Sequence, residues 1–580
     1  MAFLRNLLAT LVGLFIFSFV SIFILIGIIG VASSSDAVPE VKNNSVLHLN
    51  LSGFIVEKAI DDPFQEFLGG GPAPISLLDL LESIRVAKTD DRIRGIYLEP
   101  KFLSAGYSSL QELRDALIDF KTSGKFVHAY GEYISEGDYY LVSVADSIYL
   151  NPEGSLEFNG LTAGVTFFKG LFDKLDIEPQ IFRVGEFKSF IEPFVRKSMS
   201  EENKLQLTEL ITSVHDTYLA NVSATRNIPI GELREISDQM KVRFPENAVE
   251  LGLITKVAYE DEMHSLLRSE LGISESADIN KIGFKKYMKA APSSGYSSNK
   301  VAVIVANGDI VMGEGEDVIG GEQFATEIRK ARENNSIKAI VLRVNSPGGS
   351  LTASDMIWRE IMLTKGVKPI IASMSDVAAS GGYFIAMPCD TIVAQPNTIT
   401  GSIGIFGILF NLGEFMENKL GITNENVSTG EFSDIMTVTR SLSEYERSII
   451  QSQVEDGYET FTTKAAAGRD MSVEELKKYA GGRVWSGTQA YERNLVDVLG
   501  SFETAVEIAA EMAEIEGDYA LRFYPEQKPL IEQIINDLSE AKESYFAPND
   551  QIFTPYVEQL KKLERIQGIQ ARLPGDLIIK

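Results

Sequence analysis

The chain carries one unit twice, and this constrains its fold more than any other feature. Arg94-Gly95-Ile96-Tyr97-Leu98 aligns with Lys338-Ala339-Ile340-Val341-Leu342, 244 positions further on. The same offset pairs Asn151-Pro152 with Gln395-Pro396 and Gly160-Leu161 with Gly404-Ile405. It also sets Glu136, in Ser135-Glu136-Gly137-Asp138-Tyr139, opposite Ser380, in Ala379-Ser380-Gly381-Gly382-Tyr383. After one inserted residue, Gly185-Glu186-Phe187-Lys188 matches Gly430-Glu431-Phe432-Ser433. The serine stands only in the second copy and the lysine only in the first. A site that uses both needs both halves.

A chain of 580 residues then divides into two similar domains, each in the usual size range of roughly 50–250 residues. The expected units are a first repeat, 45–273, and a second, 299–520. Linkers are expected at 33–44 and 274–298, and a charged helical extension at 521–580. Val46 to Val56 and Val301 to Val311 read as strands, rich in Val, Ile and Leu. Amphipathic helices follow at Leu77 to Ala87 and Phe324 to Ala331. Short buried strands come next at Gly95 to Leu98, Ala339 to Leu342 and Ile371 to Met374. Long helical stretches, Glu201 to Ala224 and Ser443 to Ala467, close each copy. Strands alternating with helices point to an α/β fold with mainly parallel sheets.

The net charge of −27 excludes a nucleic-acid binder, which needs a basic surface. It also excludes docking by charge onto anionic lipid. The single cysteine, Cys389, reads as a buried thiol. No Cys/His cluster has metal spacing, so neither metal nor other cofactor is expected. The N-terminus differs in kind. Leu7 to Ala32 holds no charged residue. As a helix rising about 1.5 Å per residue it would be about 39 Å long, enough to cross a bilayer core of about 30 Å. The apolar region of a cleaved signal peptide is shorter, about 7–15 residues, so an uncleaved anchor is expected. Arg5 before the run, and Asp36 and Glu40 after it, put the N-terminus inside and the body outside.

Two turns carry chemistry. Ser380-Gly381-Gly382 lies between a strand and a helix, where small neighbours let a backbone approach and free N–H groups can meet an oxyanion. Taken alone it is also a common capping turn. Asn345-Ser346-Pro347-Gly348-Gly349 follows the preceding strand, and its Pro-Gly-Gly turn leaves N–H groups pointing outward. The first copy has Phe102-Leu103-Ser104-Ala105 here, so it lacks nucleophile and anion site together. A serine nucleophile needs a base. The four histidines, His48, His128, His215 and His264, all lie in the first half and fit no triad motif. Lys188, among Phe187, Phe190, Ile191 and Phe194, sits in an apolar setting that would lower its pKa and free its lone pair.

These motifs together resemble the signal peptide peptidase A family in its long, duplicated form. The resemblance rests on Arg343-Val344-Asn345-Ser346-Pro347-Gly348-Gly349-Ser350, Ala378-Ala379-Ser380-Gly381-Gly382-Tyr383 and Thr400-Gly401-Ser402-Ile403-Gly404. It extends to Arg183-Val184-Gly185-Glu186-Phe187-Lys188-Ser189, Glu192-Pro193-Phe194 and Gly482-Arg483-Val484-Trp485-Ser486-Gly487. It implies two tandem domains like those of the Clp protease and crotonase superfamily (ββα superhelix), preceded by a single transmembrane helix. It implies a Ser/Lys dyad, with Ser380 as nucleophile, Lys188 as general base and Ser402 orienting the lysine. Gly381 would form the oxyanion hole with Gly348 or Gly349. Also implied are a homotetramer on the outer face of the bacterial cytoplasmic membrane and peptide substrates, chiefly remnant signal peptides. The rivals are a crotonase-like enzyme acting on acyl-CoA thioesters and a non-catalytic membrane scaffold. Fold alone does not separate these; the split Ser/Lys pair favours peptide hydrolysis.

Overall fold

The computed structural model describes residues 2–34, 39–59, 74–290, 297–315, 318–525 and 568–572. Its core is two parallel sheets of the same topology. In the first, the strands Lys281–Gly283, Ser45–Val56, Ile93–Ser104, Phe126–Ile134, Ser147–Leu156 and Lys256–Val257 lie side by side. In the second, Ala520–Tyr524, Lys300–Asn307, Ile337–Ser346, Ile370–Ala379, Thr391–Ala394 and Val498–Leu499 take the matching places. Helices cover the sheet faces, so these strands are apolar along nearly their whole length: Ile340, Val341, Leu342 and Val344 are all fully buried. Each sheet has its own large core, one around Leu98, Tyr139 and Tyr218, the other around Leu342, Tyr383 and Phe461.

Most expected elements are present, with longer bounds. The helices run Leu77–Thr89, Gly321–Glu333, Glu201–Arg226 and Glu444–Gly468. The strand expected over Val301 to Val311 is broken into Lys300–Asn307 and Asp309–Val311, because Gly308 takes a positive φ of 100° and turns the chain. Part of the expected linker 274–298 is structured. Lys281–Gly283 pairs with Val46–His48, and Tyr287 on the helix Phe284–Ala290 is buried in the first core. Most of the expected helical extension, 526–567 and 573–580, lies outside the described residues; its described part opens within the strand Ala520–Tyr524 and includes a second strand, Gly568–Arg572.

A third sheet joins the halves and was not expected. It runs Val318–Gly320, Asp309–Val311, Gly348–Ser350, Gly568–Arg572, Phe406–Asn411, Glu178–Arg183. Glu178–Arg183 belongs to the first copy and pairs antiparallel with Phe406–Asn411 of the second. The seam also contains a buried ion cluster. Arg343, fully buried, donates from Nε to Glu57 Oε2 at 2.7 Å and from Nη1 to Glu112 Oε1 at 2.9 Å. Ser373 and Ser375 complete its shell at 3.0 Å each.

The N-terminal helix, Ala2–Ser34, has 33 residues. Its described apolar side chains, including Leu7, Phe15, Phe17 and Phe19, are exposed. Among the described residues no helix is long and apolar enough to cross a membrane; the side chains of 24–34 lie outside that set.

Candidate active site

Ser380 stands where the strand Ile370–Ala379 ends and the helix Gly381–Ala386 begins. Its φ of 56° and ψ of −113° are unusual for a residue with a Cβ and cost on the order of 1–3 kcal/mol. Two backbone bonds hold it there. Ser380 N donates to Gly401 O at 2.8 Å, and Phe384 N donates to Ser380 O at 2.8 Å. Ser402, next to Gly401, is also strained, with φ 48°. Both serines therefore sit where a glycine would fit more easily, and each places its hydroxyl on one point, the amine of Lys188.

Lys188 reaches that point from the other half. The antiparallel pairing of Glu178–Arg183 with Phe406–Asn411 carries the chain across the seam. Phe190, Ile191 and Phe194 then lock into an apolar cluster with Phe406, Ile408 and Phe410. Gln206, on the long helix Glu201–Arg226, donates to Phe187 O at 3.1 Å and to Ser189 Oγ at 2.7 Å, clamping the residues on either side of the lysine. Gly482 packs against its backbone so closely that a Cβ there would lie 2.6 Å from Lys188 Cβ.

The amine is held by three contacts. Lys188 Nζ lies 2.7 Å from Ser380 Oγ, 3.0 Å from Ser402 O and 3.0 Å from Ser402 Oγ. Lys188, Ser380 and Ser402 are each 0% exposed. Burial alone holds the lysine pKa well below its usual value, because the ammonium form loses its hydration. The result is an amine that releases its proton more readily than a solvated lysine, in contact with a hydroxyl.

The glycines close the other side. A Cβ on Gly348 would lie 2.6 Å from Gly381 N, so these two backbones touch. Gly348 N already donates to Ser346 Oγ at 3.1 Å. Gly349 follows, in register with Ile310 on one side and Ala571 on the other. Thus all six residues expected at the site, Ser380, Lys188, Ser402, Gly381, Gly348 and Gly349, fall in one neighbourhood. The histidines lie elsewhere: His48 meets Glu99 at 3.0 Å, His264 lies 3.4 Å from Glu260, and His128 is buried beside Phe126. Sequence reasoning missed Gln206 and the strand Gly568–Arg572. Gln206 gave no signal, because a polar residue on a long amphipathic helix looks like a solvated one. The signature around Gly482 was noted, but not its contact with the lysine.

The profile of peptidase family S49 matches residues 119–274 and 363–516, once in each half, and that of the Clp protease matches 295–399. Protease 4 of Haemophilus influenzae is 35% identical over 541 residues, covering 89% of this chain and 88% of that protein. Protease 4 of Salmonella typhi is 37% identical, over 80% of this chain and 76% of that one. The chloroplastic serine protease SPPA of Arabidopsis thaliana is 33% identical, over 92% and 78%. With a family match in both halves, and relatives aligned along most of its length, the chain belongs to peptidase family S49 and is a serine protease.

Proposed function

We propose that Ser380 is the nucleophile and Lys188 the general base of a Ser/Lys dyad that hydrolyses peptides. The observation that carries this reading is the 2.7 Å contact between Lys188 Nζ and Ser380 Oγ, made by two fully buried side chains from opposite halves. A neutral amine has one lone pair and two N–H groups. Three contacts use all of them: Ser380 O–H donates to Nζ, and Nζ donates to Ser402 O and Ser402 Oγ. Attack of Ser380 Oγ on a peptide carbonyl moves its proton to Nζ. The resulting ammonium is held by the two Ser402 oxygens, then gives the proton to the departing amine. Water enters and resolves the acyl-enzyme with the same base. Gly381 N–H is the first oxyanion donor. Gly349 N–H is the second, because Gly348 N–H is engaged by Ser346 Oγ. Ser380→Ala should leave less than a few per cent of peptidase activity in protein of unchanged thermal stability; normal activity would remove the assignment.

The remaining parts of the reading are membrane anchorage, assembly and substrate. The charge-free run Leu7 to Ala32, with exposed apolar side chains along its first half, supports a single-pass anchor with the catalytic body on the outer face of the cytoplasmic membrane. Protease added to spheroplasts should digest the body; full protection would reverse the topology. The resemblance supports a homotetramer that cuts residual signal peptides, which light scattering and a signal-peptide assay would check.

A further inference from the structure

The short strap from Gly481 to Val484 walls in the lysine of the proposed dyad without supplying a reacting atom. Its ends bond to the first half: Phe187 N donates to Gly481 O at 3.2 Å, and Val484 N donates to Gln206 Oε1 at 3.4 Å. Its middle bonds to the serine half: Gly482 N donates to Ile403 O at 2.9 Å, and Ser402 N donates to Arg483 O at 2.7 Å. The lysine stem fills the gap between these backbones. A Cβ on Gly482 would lie 2.6 Å from Lys188 Cβ, and one on Gly404 would lie 3.4 Å from Lys188 Cδ. Displacing the strap would therefore open the stem and its amine to water.

One side chain of the strap reaches across the seam. The Arg483 guanidinium lies 4.9 Å from the centre of the Phe187 ring, next in sequence to the lysine, and 4.3 Å from that of the buried Trp485. Its Nη2 donates to Glu209, which shares the helix Glu201–Arg226 with Gln206. The other cation at this place is Arg493, 4.0 Å from the Trp485 ring. Two rings and a carboxylate fix a planar guanidinium as they could not fix an ammonium. Arg483 Nε is buried without a hydrogen-bond partner among the described residues, so an apolar side chain would meet the needs of packing at less cost. The first copy has no such clamp. An offset of 242 positions sets Ala248-Val249-Glu250 on Ala490-Tyr491-Glu492, and Lys241 opposite Arg483. Lys241 turns back to Glu235 of its own half at 2.7 Å, at the surface.

We propose that Arg483 is a positioning residue of the reaction: clamped on Phe187, Trp485 and Glu209, it holds the strap against Lys188 and keeps water from the amine. The inference rests on the Ser380–Lys188 reading above. Arg483 touches neither the dyad hydroxyls nor the amine; it acts through Phe187 and through the backbone of its own strap. The consequence follows from burial, which is the one cause that lowers the proton affinity of Lys188. Loosening the strap lets the ammonium recover its hydration, and the lysine pKa then rises towards that of a solvated amine.

Profiles of kcat/KM against pH for Arg483→Met, Arg483→Lys and Glu209→Gln, in full-length protein acting on an unstructured peptide, test this. Methionine keeps the apolar stem but neither the plane nor the charge. The acidic limb of Arg483→Met should move up by about one pH unit. Activity on that limb then falls about tenfold, and it recovers at alkaline pH, where the amine is neutral in both proteins. Arg483→Lys should restore only part of the shift, since an ammonium pairs with Glu209 but stacks less well. Glu209→Gln, whose amide oxygen still accepts from Nη2, should move the limb in the same direction by less. A limb that stays in place while activity drops by one factor at every pH overturns the proposal, as does a profile equal to wild type. If Arg483→Met does not fold, Glu209→Gln decides, and an unmoved limb there overturns it equally. A Lys188→Met variant that keeps the wild-type profile removes the dyad reading instead.

Discussion

Glu136 and Ser380 occupy the same turn in the two halves, at the end of the matching strands Phe126–Ile134 and Ile370–Ala379. In the first half the turn is self-contained. Ser135 caps the helix Glu136–Val142, and Glu136 Oε2 accepts from Asn159 N at 2.8 Å. In the second, Ser380 turns its hydroxyl out of its own half, to Lys188. The lysine position contrasts in the same way. Lys188 is fully buried, whereas its counterpart Ser433 is exposed and donates back to Gly430 O at 3.0 Å. One asymmetry underlies both differences. Glu178–Arg183 pairs with Phe406–Asn411, but their counterparts, 423–428 and 162–167, form no regular strand. Only one of the two possible crossings was built, so the pair of halves holds one site.

The largest expected effect comes from removing the crossing residue itself. Lys188→Met should lower kcat/KM by about 10²–10⁴-fold, the usual contribution of a positioned base. Lys188→Arg should do no better, since a guanidinium keeps its proton. Wild-type activity should rise with pH through the lowered lysine pKa, because the proposed dyad works with the neutral amine. A pH-activity profile that falls over that limb, or an active Arg variant, would break the comparison. The seam should be next. Arg343→Met leaves Glu57 and Glu112 buried without their partner, which costs about 3–5 kcal/mol. Urea unfolding would report it, and a loss near zero would mean that the halves are joined elsewhere.

Ser402→Ala is a smaller change. It removes one of three contacts to the amine, while Ser402 O remains. One hydrogen bond of about 0.5–1.5 kcal/mol corresponds to roughly 2–13-fold in rate. Steady-state kinetics across pH should show this loss together with a shift of the acidic limb, since the variant alters the shell of the proposed base.

The repeat made much of this legible. An offset in the sequence is an offset in the fold, so the two matching sheets and the Ser380 turn followed from aligned residues. The resemblance added Ser402, which no pattern marks. The third sheet was not legible, because its strands are three to six residues long and those that join the halves pair across more than a hundred positions. Pattern reads which face of a strand is apolar, not which distant edge it meets. For the same reason 274–298 looked like a linker: Lys281–Gly283 is too short to show alternation, and its place is fixed by Val46–His48. Gly568–Arg572 was hidden behind a charged stretch, and its sequence has no feature that would mark it without the groove around it.

The smallest effect tests the silent half. Burial pushes the Glu136 carboxyl up to about 7, against backbone N–H donors that favour its ionised form. Its folded pKa thus lies above the unfolded value of about 4.3. The native state binds this proton more tightly, so the associated stability is full below about pH 4 and is lost as pH rises through about 7. Glu136→Gln cannot ionise, yet its amide oxygen can still accept from Asn159 N. The variant should therefore gain thermal stability relative to wild type between pH 5.5 and pH 8, by a few degrees at most, with peptidase activity unchanged. Thermal melts at the two pH values decide it. A difference that stays flat would mean that Glu136 ionises as readily in the folded chain as in the unfolded one.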